Sequence, residues 1–258
     1  MDFGLEGKVA MVAAGSKGIG RAVAEMLLEE GCKVSVCGRT AETLEEVFGG
    51  LDDVHAISCD VTKAEDLERW VDATLDAFGT PSILVTNTGG PPAGILNQKT
   101  DDEWQLGVDA TLMNVVRLTR QVGPMMAAQE WGRIVHITSL VAKEPSLLLP
   151  ISSTLRAGLM ALTRVQATEL APHGVTVNSV LPGHTLTDRQ LHLARIRADQ
   201  KGIDVEQALQ LQANEVPMKR LAEPPEIAAA VVFLCSQQAS YITGTNLLVD
   251  GGLTKGLG

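Results

Sequence analysis

One tyrosine, Tyr241, and four cysteines are spread over 258 residues. The cysteines (Cys32, Cys37, Cys59, Cys235) form no CxxC pair and keep no regular spacing. That scatter excludes a disulfide framework and a zinc site and reads as buried thiols, so no metal is expected. No apolar run reaches the length of a membrane span, and the opening MDFGLEGKVAMV carries acids without a basic n-region. Neither a membrane nor a secretory route is expected, and the chain reads as cytoplasmic. Basic charge is scarce too. With a formal net charge of −10, no basic face is available to neutralise phosphates, which excludes nucleic acid as the main partner. No Pro/Ser-rich linker, internal repeat or low-complexity tract divides the sequence. Apolar segments run evenly through it, so one α/β domain over 1–258 with a substantial core is expected.

What is present is an alternation. KVAMVA (8–13), KVSVCG (33–38), VHAISCD (54–60), SILVTN (82–87), GRIVHITS (132–139), VTVNSVLP (175–182) and NLLVD (246–250) are short, β-branched and apolar on both faces. Such strands are covered from both sides. Helical patterns lie between them at about 18–30, 41–49, 63–78, 101–130, 152–172 and 225–237, several opened by Pro or Asp/Thr and closed by Gly. Strand, helix, strand with short right-handed crossovers predicts a doubly wound parallel sheet of seven strands with helices on both faces. Its ligand crevice lies at the carboxyl ends of the strands.

The first strand runs into AAGSKGIGRAVAEMLLEEG. Gly15, Gly18 and Gly20 at that turn let backbone N–H groups approach a pyrophosphate and let the helix pack on the sheet. Alone, the turn is as compatible with a conformational role as with a cofactor. The second strand adds weight, because it ends in Gly38-Arg39 and not in an acid that would grip a ribose 2′-hydroxyl. With Lys17 inside the turn, two cations suit a 2′-phosphate; ordinary surface charges are the alternative.

Taken together, the glycine turn at 14–20, CDV at 59–61, TNTGG at 86–90, GRIVHITS at 132–139, GVTVNSVLPGHTLT at 174–187 and YITGTNLLVDGG at 241–252 resemble, nearly end to end, the short-chain dehydrogenase/reductases of the 3-oxoacyl-ACP-reductase type. The resemblance implies a Rossmann-type fold and NADP(H) as the preferred cofactor, with NAD(H) possible. It implies that Gly15, Ser16, Lys17, Gly18, Ile19 and Gly20 form the phosphate turn and that Arg39 meets the 2′-phosphate. Asp60 and Val61 would lie against the adenine, Asn87 and Gly89 beneath the ribose, and Pro182, Gly183, Thr185 and Thr187 around the nicotinamide.

Departures from the pattern fall where chemistry is expected. The family's first glycine is Ala14, its paired asparagines read Thr86-Asn87, and Gly90-Pro91-Pro92 stiffens the next loop. The family's Tyr-x-x-x-Lys falls on Ser152 and Arg156 in PISSTLRAGLMALTR (150–164), and its supporting Asn falls on Thr111, with Asn114 one turn further on. Of the usual four groups Ser139 alone is retained. Hydride delivery to a carbonyl leaves an alkoxide that needs a proton; a phenol of pKa about 10 can give one, and a serine hydroxyl is a far weaker acid. Arg156 still suits ribose hydroxyls and a developing oxyanion. His184, after Pro182-Gly183, is a candidate substitute donor because imidazole titrates near neutral pH. Tyr241 reads as a packing residue of the YITG segment.

Residues 184–220 match the family's substrate lid. Arg189, Arg195, Arg197 and Lys201 alternate there with Asp188, Asp199, Asp204 and Glu206, so an acidic substrate and a solvated mixed-charge helix remain equally open. The leucines Leu186, Leu191, Leu193, Leu209 and Leu211 either line a pocket or pack the lid down. Two functions stand: an oxidoreductase acting on a small carbonyl or secondary alcohol, and a cofactor-binding protein with little turnover. A homodimer or homotetramer is expected through the helices at 101–130 and 152–172, whose Met113, Leu118, Leu155, Leu159 and Leu162 exceed what one sheet face covers.

Overall fold

A computed structural model describes residues 2–256; positions 1, 257 and 258 of the expected domain lie outside the described residues. Strands β1 (Val9–Val12), β2 (Lys33–Gly38), β3 (Val54–Ser58), β4 (Ile83–Thr86), β5 (Gly132–Ile137), β6 (Val175–Pro182) and β7 (Asn246–Val249) form one sheet in the order β3-β2-β1-β4-β5-β6-β7. Every pairing is parallel, with Ala10 of β1 opposite Val34 on one side and Ile83 on the other. The order reverses between β1 and β4, which opens a crevice above their carboxyl ends.

Successive β1 residues alternate between two cores. Ala10 and Val12 face α1 (Gly18–Glu29), α2 (Ala41–Phe48) and α9 (Pro224–Cys235), where Leu27, Phe48 and Val231 are buried. Met11 and Ala13 face α3 (Ala64–Phe78), α5 (Asn114–Ala128) and α6 (Pro150–Leu170), where Trp70, Leu118 and Ala167 close the other side. β1, β4, β5 and β6 are wholly buried, whereas the edge strands β3 and β7 are only partly covered. Leu27 is fully buried, and its truncation to Ala would cost about 2–5 kcal/mol.

The structure revises several expectations. The helix expected over 101–130 is α4 (Asp101–Gly107), a π-helical turn over Val108–Met113, and α5. The segment at 188–220 folds as α7 (Asp188–Lys201) and α8 (Val205–Glu215), started by caps from Thr187 and Asp204. The apolar excess of the central helices is largely covered within the chain: Leu118, Leu155 and Leu159 are buried, and Met113 and Leu162 half-buried. Tyr241 does not pack at all. Its ring is fully exposed, because Ile242 and not Tyr241 turns toward the core. All four cysteines are free and buried.

Candidate functional site

A cleft of about 740 Å³ lies along the carboxyl ends of the strands. At one end is the turn between β1 and α1. There Gly15 N donates to Cys37 O, and a Cβ on Gly15 would stand 2.2 Å from Val36 Cγ2, so only glycine fits. A Cβ on Gly20 would lie 2.4 Å from Ala14 O, which explains how closely α1 approaches the turn. Ala14, where the family carries glycine, holds φ at +49°, a left-handed conformation unfavourable for a residue with a Cβ. No side chain caps α1 and no acid sits in its first turn, so its leading amides face the cleft and suit an anion.

Lys17 and Arg39 are exposed residues of the cleft wall. Lys17 Nζ stands 3.8 Å from Asp188 at the start of α7, a pair too exposed to hold firmly. Asp60 is spoken for locally, accepting from Thr62 N and Thr62 Oγ1. Val61, Asn87 and Gly89 follow along the wall with Ser16, Gly18 and Ile19, and nothing lies within 4 Å of a Cβ built on Gly89. Beneath the cleft floor the His136 ring is fully buried between Thr86 Oγ1 (2.8 Å) and Gln166 Oε1 (2.9 Å). Burial pushes its pKa down to about 4, against a smaller upward pull from Gln166, so it is neutral at pH 7.

At the other end Ser139, Ser152 and Arg156 come together on the cleft wall. Ser139 follows β5, and its Oγ accepts from Val141 N at 3.3 Å. Ser152 and Arg156 sit one turn apart on α6, 7% and 6% exposed. Arg156 Nε donates to Ser152 Oγ at 3.2 Å, while Nη1 donates to Ile137 O and Thr138 O at 3.1 and 2.6 Å. Burial first, and the like charge of Arg189 second, push the Arg156 pKa down to about 10, which leaves it cationic at neutral pH. Pro182, Gly183, Thr185 and Thr187 complete this wall. Gly183 N is pinned to Val249 O, and a Cβ there would meet Asp250 Cα at 2.7 Å.

Four sequence candidates do not line the cleft: Gly15 and Gly20, which pack against Val36 and Ala14, and Thr111 and His184. Thr111 is buried in the π-helical turn with its Oγ1 unpartnered, as are both polar atoms of Asn114; neither residue lines the cleft. His184 does not line it either. Its Nε2 points to Glu215 Oε2 at 3.9 Å, and burial together with Arg197 lowers its pKa, against a weaker upward pull from Glu215. The chain turns its imidazole under α7 and α8 because its backbone oxygen accepts from Ala222 N, across the Thr185–Ala222 bridge. Of the lid leucines only Leu193 reaches the cleft; Leu186 and Leu211 are exposed.

Sequence reasoning named Arg189 only among the alternating charges of the lid, with an acidic substrate left open, and missed His192; both line the cleft. Arg189 Nη2 crosses from α7 to donate to Pro91 O at 2.6 Å. Its position two residues after Thr187 on a helix start was the available signal, hidden by the alternating charges that follow.

Among the described residues no helix is long and apolar enough to cross a membrane. The family profile described as enoyl-(acyl carrier protein) reductase matches residues 13–254. The chain is 36% identical over 252 residues to the 3-oxoacyl-[acyl-carrier-protein] reductase FabG of Vibrio cholerae serotype O1, covering 96% of this chain and 98% of that one. It superposes with a TM-score of 0.94 and 35% identity on L-sorbose reductase from Gluconobacter frateurii complexed with NADPH and L-sorbose, covering 100% of both chains. Actinorhodin polyketide ketoreductase with NADPH gives 0.93 and 31% identity, over 96% of this chain and 98% of that one.

Proposed function

The chain belongs to the short-chain dehydrogenase/reductase family, and from that premise we propose that it is an NADP(H)-dependent oxidoreductase of carbonyls or secondary alcohols in which Ser152 and Arg156 stand where relatives carry Tyr and Lys. The observation that carries the reading is the guanidinium of Arg156, fixed by the Ile137 and Thr138 carbonyls at the inner end of a cleft that begins at the glycine turn. NADPH, where bound, supplies the hydride. The glycine turn fits such a group, because Ser16, Lys17, Gly18 and Ile19 line the cleft and the leading amides of α1 are uncapped, with no acid in its first turn. Gly15, Ser16, Gly18, Ile19 and Gly20 hold the pyrophosphate, Lys17 and Arg39 the 2′-phosphate, and Asp60 and Val61 the adenine. Asn87, Gly89 and Arg156 hold the ribose, and Pro182, Gly183, Thr185 and Thr187 the nicotinamide.

The hydroxyls of Ser139 and Ser152 each accept from the protein, one from Val141 N and the other from Arg156 Nε. Each therefore keeps its own hydrogen for the cleft. In this reading both donate to the substrate oxygen, and Arg156 stabilises the negative charge that develops there. The alkoxide takes its proton from a water molecule by relay through the Ser152 hydroxyl, which gives one proton and receives one, and the hydroxide left behind goes to solvent. Removing a phenol from such a site costs about 10²–10⁴-fold in rate, so turnover of generic ketones is slow. Residues 184–220 act as a lid over a single domain, and the exposed Val165 of α6 and Tyr241 support assembly with further copies as a dimer or tetramer, which sedimentation would register.

A second reading, cofactor binding with little turnover, draws support from the same pair, since the hydroxyl beside Arg156 is aliphatic. Titration of the protein with NADPH, followed by NADPH oxidation against a panel of ketones, separates them. Tight binding with measurable oxidation supports the enzyme, tight binding without oxidation the second reading, and no binding overturns both.

A further inference from the structure

We propose that the inner end of the cleft is an anion subsite in which Arg189, backed by Arg156, holds the carboxylate of an oxo-acid or hydroxy-acid substrate. The inference deepens the oxidoreductase reading and rests on it for the identity of the reacting group. Two carboxylates line the cleft, and neither is at this end: Asp60 is taken by Thr62, and Asp188 faces Lys17 beside the glycine turn. Among the described residues no carboxylate lies within ion-pair distance of Arg156 or Arg189. Arg156 is buried and Arg189 half-buried; burial lowers the pKa of both, and the charge of Arg189 adds to the effect at Arg156. Buried like charges without a counter-ion are unfavourable, and an anionic ligand removes that penalty.

The donors are placed for it. Arg189 spends one hydrogen of Nη2 on Pro91 O; Nε, Nη1 and the second Nη2 hydrogen have no protein partner among the described residues, so one of the two parallel donor pairs that share Nη2 stays open. Arg156, which lines the cleft, spends Nε and Nη1 on Ser152, Ile137 and Thr138, and its Nη2 makes no hydrogen bond among the described residues. A planar guanidinium with free donors matches a carboxylate in two parallel hydrogen bonds. The neighbouring walls are apolar, with Pro91, Pro92, Leu149 and Leu193, so the rest of the substrate is a hydrocarbon body. The phosphate cradle is elsewhere. It lies where a Cβ on Gly18 would come 3.2 Å from Thr187 Cγ2, whereas Arg189 reaches the opposite wall at Gly90 and Pro91. In a chain with a net charge of −10, a positive cleft end also draws an anion inward.

Calorimetric titration of the NADP⁺-saturated full chain with a homologous series of straight-chain 2-oxo acids and the matching 2-oxoamides tests this. The best acid should bind about tenfold or more tightly than its amide. Arg189→Gln, which keeps a donor for Pro91 O without the charge, should reduce that ratio to about twofold or less, and Arg189→Lys, which keeps the charge but not the two parallel donors, should fall between the two. NADPH affinity, read by fluorescence, should stay within about twofold in both variants. Acids no tighter than amides across the series would overturn the subsite, as would a ratio that survives Arg189→Gln. Weakened NADPH binding in Arg189→Gln with an unchanged ratio would instead assign Arg189 to the cofactor's phosphates. If the unaltered chain binds no nucleotide, the oxidoreductase reading falls by itself, and the acid–amide comparison run without nucleotide still decides the subsite.

Discussion

Arg156 Nε lies 3.2 Å from Ser152 Oγ, one helical turn away, while Nη1 of the same guanidinium is held by Ile137 O and Thr138 O. The guanidinium therefore ties α6 to the end of β5 and points a hydroxyl into the cleft from one fixed position.

Stability should register that tie. Arg156→Ala leaves two buried carbonyls without a donor, at about 1–3 kcal/mol for each unsatisfied group. Ser152→Ala removes one acceptor and should cost less than about 1.5 kcal/mol. Urea unfolding of both variants checks the ranking, and a Ser152→Ala protein less stable than Arg156→Ala would contradict it.

The π-helical turn gives a second expectation. Thr111 buries an Oγ1 with no partner, so Thr111→Val, which keeps the shape and removes the hydroxyl, should leave stability unchanged or raise it by up to about 1 kcal/mol. A loss of more than about 1 kcal/mol in urea unfolding would mean that the hydroxyl is satisfied in solution by a bound water.

His136 sets a pH dependence. Its folded pKa, about 4, lies below the ordinary 6.5, so between those values the unfolded chain binds the extra proton. The contribution is complete above pH about 6.5 and is lost as pH falls toward 4, amounting to about 2 kcal/mol between pH 7 and 5. NMR of the ring should show no titration above pH about 5 in the folded chain. A midpoint near 6.5 would remove this contribution.

Cofactor choice is the fourth. Lys17 and Arg39 offer two charge-assisted contacts to a 2′-phosphate, each worth about 1.5–3 kcal/mol when formed. Replacing both with Ala should erase a preference for NADPH over NADH measured by fluorescence titration. Equal affinities in the unaltered protein would contradict the assignment.

The seven strands and their flanking helices were legible because buried parallel strands carry dense β-branched runs, and because Pro, Asp/Thr and Gly mark where helices start and stop. VAMV and GRIVHI sit as wholly buried strands within their expected spans. Ser139, Ser152 and Arg156 were also legible as neighbours, through helical spacing and motif order. The π-helical turn was not. Six residues with one extra unit per turn keep the same apolar pattern as an α-helix. Nor could the direction of a loop side chain be read: His184 and Arg189 are five residues apart, yet one turns beneath the lid and the other into the cleft. Tyr241 was misjudged because the turn that packs the half-buried Ile242 against the core leaves its neighbour in solvent.

The steady-state rate of NADPH oxidation with a simple ketone, compared between the unaltered chain and the Ser152→Tyr/Arg156→Lys double variant, tests most directly whether this site works without a phenol. The double variant should be faster by about 10²-fold or more, because general acid catalysis of that size is restored. Ser152→Tyr alone should gain less, since Arg156 stays tied to the Ile137 and Thr138 carbonyls. An unaltered chain that already turns over at about 10 s⁻¹ and is indifferent to Ser152→Ala would contradict the proposed role of the pair.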